Sequence, residues 1–138
     1  MTLINSVSNF RDVAIGSKMK KKILFRCAKL STLTDGDIKK LEELNPHAII
    51  DFRDPKEIQK APDNLSKSLL EKSISLPISA STLNRMVIQK NIDGDNELTY
   101  EKVMEESYKK YINNHKHVWK KFIKILLDSN NHPVIFHC

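Results

Sequence analysis

No stretch of this 138-residue chain approaches the roughly 20 consecutive apolar residues that a bilayer-crossing helix needs, so no membrane span is expected. The opening run Met1-Thr2-Leu3-Ile4-Asn5-Ser6 has no charged segment followed by an apolar block. No secretory leader is read there, and a cytoplasmic location is expected. Cysteine is scarce: there are two, Cys27 and Cys138, too far apart in sequence to form a C-x-x-C pair. That spacing disfavours a thiol redox protein, and two free thiols suit a cytosolic chain better than one disulfide. Aromatic residues make up 7% and do not alternate with basic ones, which argues against a stacking platform for nucleic acid. His115 and His117 lack a suitably spaced carboxylate or cysteine, so no metal site is expected. Asn91-Ile92-Asp93-Gly94-Asp95-Asn96 has turn chemistry, but the residues around it do not complete a calcium loop with its closing glutamate. Repeats, low-complexity tracts and interdomain linkers are missing too, which leaves a single domain over residues 1–138.

What is present is ordinary in amount, with 40% hydrophobic and 29% charged residues. The net charge of +6 comes mostly from lysine, including the run Lys18-Met19-Lys20-Lys21-Lys22. Lysine on solvated faces explains it; a second reading is a field that draws in an anionic substrate such as a phosphate ester.

The chain alternates short apolar runs with helical periods. Asn9-Phe10-Arg11-Asp12 is too mixed for a strand face and too short for a helix. Its Arg-Asp pair either pins a loop to the core or reaches a site, and Gly16 then permits a turn. Ile23-Leu24-Phe25-Arg26-Cys27 reads as a strand, with Cys27 a small buried hydrophobe rather than a second nucleophile. Thr34 caps a helix that carries Asp37 in its first turn and Ile38, Leu41 and Leu44 on one face, and Asn45-Pro46 ends it. Ala48-Ile49-Ile50 is a second buried strand delivering Asp51 and Arg53. Charges at a buried tip must be paired or face a cleft, and both readings stand. Asp54, Pro55 and Glu57 then open a helix with a capping box. Residues 72–78 alternate as a half-buried strand, and residues 79–90 read as helical. Over residues 98–127 a helical period sets Met104, Tyr108, Tyr111, His115, Trp119, Phe122 and Leu126 on a core face, with a split proposed at Asn113-Asn114.

The chain is organised around its last six residues, Pro133-Val134-Ile135-Phe136-His137-Cys138. A proline at the first position and three apolar residues predict a strand buried on both faces in a parallel sheet. Such a strand presents His137 and Cys138 at its carboxyl end, where open α/β sheets bind ligands. A thiol there becomes a nucleophile when backbone N–H groups and a helix N-terminus depress its pKa.

Taken in order, Asn9-Phe10-Arg11-Asp12, then Leu24-Phe25-Arg26 with Leu30 and Leu33-Thr34, then Ile50-Asp51-Phe52-Arg53 with Glu57, then Pro133 to Cys138 resemble the bacterial, cysteine-dependent tyrosine phosphatases that begin with an N-F-R-D motif. The likeness spans nearly the whole chain. It implies an α/β fold with a central parallel or mixed sheet flanked by helices. It also implies phosphomonoester hydrolysis through a phosphocysteine intermediate, with a phosphotyrosine protein or similar phosphomonoester as substrate. Cys138 takes the nucleophile's place and His137 that of the histidine supporting it; Asp51, Arg53, Arg11 and Asp12 are the further candidates. No cofactor is implied, because a loop of backbone N–H groups and an arginine clamp bind the phosphoryl oxygens.

The family continues past the cysteine with that glycine-rich loop, and the given sequence stops at Cys138. The expectation is a chain truncated at its nucleophile, lacking the C-terminal helical part, without turnover as written and with one face of its last strand bare. The alternative is a non-catalytic, phosphatase-like fragment or binding domain. Some members carry an aspartate general acid where this chain has Ser79-Ala80-Ser81; the acid would come from elsewhere, with Asp93 and Asp95 nearby in sequence, or from the segment after Cys138, and none of these is chosen.

Overall fold

A computed structural model describes residues 4–78, 100–130 and 132–138, leaving aside the side chains of Tyr100 and Val103. The strands are β1 (Arg11–Asp12), β2 (Leu24–Cys27), β3 (Ala48–Asp51), β4 (Ser73–Ser75) and β5 (Val134–His137). They form one sheet in the order β1-β2-β5-β3-β4. β2, β5, β3 and β4 are mutually parallel, and β1 closes the edge antiparallel to β2. The helices are α1 (Asp35–Leu44), α2 (Pro55–Lys60), α3 (Lys67–Leu70), α4 (Tyr100–Asn114) and α5 (Lys116–Leu127). This is the α/β architecture expected, with the strand ending in His137 at the centre of the sheet.

Strand alternation divides the core in two. Phe25, Cys27, Ile49 and Ile135 face one side, where they meet Leu41 of α1, Leu69 of α3 and Ile4, Val7 and Phe10 from the N-terminal segment. Ala48, Ile50 and Val134 face the other, against Val118, Trp119 and Phe122 of α5. Ile49, Ile50, Val134 and Ile135 are fully buried. Each such side chain contributes about 1.5–3 kcal/mol over leaving it in water. β5 therefore has cover on both faces, and the expected bare face is not found. Phe136 is half-buried under Phe122, their ring centroids 5.7 Å apart.

Local chemistry fixes the ends of the helices. The Thr34 hydroxyl accepts from the Asp37 N–H at 3.3 Å, and Asn45 adopts a left-handed φ of 51° to stop α1. Asp54 accepts from the N–H groups of Lys56 and Glu57, while the Glu57 carboxylate accepts from the Asp54 N–H, completing the capping box. Asp37 also accepts from the N–H groups of Asn5 and Ser6 and from the Ser6 hydroxyl. With Lys40 at 2.8 Å, these bonds hold its carboxyl well below the usual carboxylate range and tie the N-terminal segment to α1.

Three expectations are corrected. Arg11 and Asp12 do form a strand, although a minimal one, because β2 offers them an open edge. The strand expected over residues 72–78 contracts to Ser73–Ser75, with Ile74 at the surface and Leu76 buried beyond its end. Tyr108 does not lie on the core face and is exposed. The long helical period breaks at His115, so α4 and α5 present their faces independently, and Val118 is the most buried residue of the second helix. The helix expected over residues 79–90, the turn at 91–96, and the candidates Ser79, Ala80, Ser81, Asp93 and Asp95 lie outside the described residues.

Candidate active site

The carboxyl ends of three parallel strands bring a row of polar side chains together. In register, His137 of β5 lies between Cys27 of β2 and Asp51 of β3. Successive residues of a strand alternate faces, so these three share the face of Phe25, Ile49 and Ile135. Cys138 follows one residue beyond the strand and is exposed.

Beneath the thiol is a closed ionic network. The Arg53 guanidinium grips Asp51 through Nε, 3.0 and 3.2 Å from its two oxygens, and through Nη2 at 2.8 Å. The same Nη2 reaches Asp63 Oδ1 at 2.9 Å, and Nη1 donates to the Ala61 carbonyl at 2.7 Å. The side chain is only 4% exposed. Its hydrogen bonds to Asp51 come first among the causes that raise its pKa and keep it charged. Asp51 and Arg53 are thus paired with each other. All three guanidinium nitrogens are thereby engaged by protein oxygens.

Asp63 is the residue sequence reasoning missed. Pro62-Asp63-Asn64 has the composition of a chain break, and nothing local signals more. In the fold, Asp63 Oδ1 accepts from the Leu30 N–H at 3.1 Å as well as from Arg53, and Oδ2 meets His137 Nε2 at 2.9 Å. One carboxylate joins the tips of β3 and β5 to the turn after β2. Because a carboxylate accepts, Nε2 must carry the proton, and that fixes the imidazole's orientation. His137 is fully buried, and its Nδ1 has no hydrogen-bond partner among the described residues. An unsatisfied buried polar atom costs about 1–3 kcal/mol, and such departures concentrate at functional sites.

Asp51, Asp63 and His137 together have the composition of a metal-binding cluster, with ligand atoms within 4.8 Å of one another. The Arg53 guanidinium already supplies the positive charge to both carboxylates, so a cation there would have to displace it.

The two thiols differ sharply. Cys27 is buried, and its pKa is pushed up to about 12, first by burial and then by the negative charges of Asp63, Cys138 and Asp51. It packs as a small apolar residue, as expected. Cys138 is exposed and lies within electrostatic reach of Tyr111 on α4, whose phenol pKa is raised by burial first and by Cys138 next. At pH 8, iodoacetamide is expected to alkylate exposed Cys138 in the native protein and leave Cys27 untouched, since burial both shields the Cys27 thiol and keeps it protonated. Peptide mass spectrometry with and without urea checks this; equal labelling of both cysteines without denaturant would contradict it.

Arg11 and Asp12 stand apart from this network. Arg11 is exposed, and its guanidinium donates to the Asn9 carbonyl at 3.3 Å. Asp12 accepts from the N–H groups of Ala14 and Lys22, at 2.9 and 2.7 Å, and so closes the loop between β1 and β2.

A profile of the tyrosine phosphatase family matches residues 2–138. The chain belongs to that family. A search among curated proteins finds no match. Family membership points to a phosphatase-like function, and phosphorylated compounds are the substrates it suggests.

Proposed function

We propose that this chain carries the nucleophile of a cysteine-dependent tyrosine phosphatase, with Cys138 attacking phosphorus. The observation that carries the reading is the placement of the Cys138 sulfur: exposed, at the carboxyl end of the central parallel strand, one residue after a histidine locked into a buried ion network. In this reading the thiolate displaces the alcohol or phenol oxygen of a phosphomonoester, and the S–P bond forms as the P–O bond breaks. Water then attacks the phosphocysteine, releases inorganic phosphate and regenerates the thiolate. His137, oriented by Asp63 and held through it to Arg53 and Asp51, is the positioning residue that sets the approach of the strand tip. The resemblance puts the anion cradle in the residues that follow the cysteine, where backbone N–H groups and a guanidinium stabilise the phosphoryl oxygens.

The test is acid quenching of the full-length protein during turnover of p-nitrophenyl phosphate, followed by mass spectrometry. A phosphoryl adduct is expected on the peptide bearing Cys138. Steady turnover with the adduct on a different residue would remove Cys138 from the role. The competing reading, a phosphatase-like binding domain, predicts no turnover in any form of the protein.

A further inference from the structure

The amino ends of the same strands carry a surface that this chemistry does not use. Ile15 and Met19 stand exposed on the loop joining β1 to β2, and Ile15 is 69% accessible. Lys18, Lys20, Lys21 and Lys22 on that loop are exposed too. Met19 and Lys20 share a cavity of about 490 Å³ with Ile23, Leu24, Leu126, Leu127, Ser129 and Asn130. The loop therefore meets the end of α5 across a common groove. The inner face of α5 is spent on the core through Val118, Trp119, Phe122, Ile125 and Leu126. Its outer face would be expected to be wholly polar. Instead it interleaves exposed Ile123 and Leu127, the latter 81% accessible, with exposed Lys116, Lys120 and Lys124 at helical spacing.

Two segments distant in sequence thus present the same unusual mixture of exposed aliphatic residues and lysine, and they meet where Met19 and Lys20 face Leu126 and Leu127 across one groove. Asp128 at the rim offsets a little of that charge. Lysine on an ordinary solvated face needs no aliphatic neighbours, and an apolar protein interface is depleted of lysine. A bilayer with anionic headgroups satisfies both components: the aliphatic tips enter the headgroup boundary while the lysine stems lie alongside and their ammonium groups meet phosphate.

We propose that the loop of residues 15–22 and the outer face of α5 form a docking surface for an anionic membrane. The groove lies at the amino ends of β2 and β5, and Cys138 lies at the carboxyl end of β5.

Flotation of the full-length protein with vesicles is the test, comparing phosphatidylcholine alone with vesicles about one-third phosphatidylglycerol. Binding is expected only to the second, weakening as salt shortens the screening length. The variant Lys20→Glu, Lys21→Glu, Lys22→Glu is expected to lose binding on the order of a hundredfold, at about fivefold or more per charge. The variant Ile15→Ser, Met19→Ser, Leu127→Ser should also lose most of it. All six substituted residues are at the surface, and circular dichroism confirms folding of each variant. Failure to float with the anionic vesicles would overturn the proposal, as would equal flotation with both. Binding that survives the serine variant unchanged would also overturn it, by reducing the surface to diffuse charge. Capture on an acidic polypeptide without vesicle binding would identify a protein partner in its place. None of these results depends on Cys138, so the phosphatase reading stands or falls separately.

Discussion

Arg53→Met is expected to destabilise the protein by about 3–5 kcal/mol, enough to leave a domain of ordinary stability marginal. The reason is charge left without a partner. In the native fold the guanidinium touches both Asp51 and Asp63, and all three side chains are less than one-tenth exposed. Methionine fills much of the arginine's volume but removes the guanidinium cation that joins two buried carboxylates. The Ala61 carbonyl loses its donor at the same time. Asp63→Asn should cost less, about 1–3 kcal/mol, because an amide still accepts from the Leu30 N–H while the site sheds one negative charge. The double variant Arg53→Met with Asp51→Leu should recover part of the loss, since it deletes both ends of the tightest pair and leaves shape in their place. Urea denaturation of each variant gives the cycle, and the coupling between Arg53 and Asp51 should exceed 1 kcal/mol. A single variant at Arg53 within 1 kcal/mol of the parent would mean that the network is solvated enough to do without its cation.

The same network shows what the residue order could and could not reveal. The strand ending in His137 was legible because a proline and three apolar residues leave little else for it to be. The caps at Thr34 and Asp54 were legible because they depend on contacts three residues away. Asp51 and Arg53 could be flagged as charges needing an explanation, but their pairing with Asp63 could not be foreseen. Asp63 meets His137 across 74 positions of sequence, and no local pattern records such a contact. Tyr108 shows the opposite limit. Its helical period was real, and Met104 and Tyr111 are half-buried, but a period does not say how wide the covered stripe is, and Tyr108 falls outside it. The candidate site divides in the same way. The proposed nucleophile Cys138 and His137 sit side by side in sequence, whereas the ion network that holds His137 is assembled by the fold.

Cys138→Ser in the full-length protein is expected to lower kcat for p-nitrophenyl phosphate by about 10⁵-fold or more, with little change in stability. Both halves follow from where the sulfur lies. It is exposed at the end of β5, outside both core clusters, so exchanging it for oxygen leaves packing intact. A serine hydroxyl is a far weaker acid than a thiol and a poor nucleophile without an adjacent general base. His137, the adjacent imidazole, is turned inward, its Nε2–H committed to Asp63. Oxygen in that position therefore has the reach of the nucleophile without its charge. Cys27→Ser is the informative contrast. Cys27 is 4% exposed and belongs to the core, so its replacement should cost stability by burying a hydroxyl, while kcat of the folded fraction stays close to the parent value. Measuring kcat and the urea midpoint for both variants separates the two roles. If Cys138→Ser retains activity within tenfold of the parent, the thiol at the strand tip is not the nucleophile. If Cys27→Ser is the variant that abolishes turnover of folded protein, the chemistry belongs to the buried thiol instead.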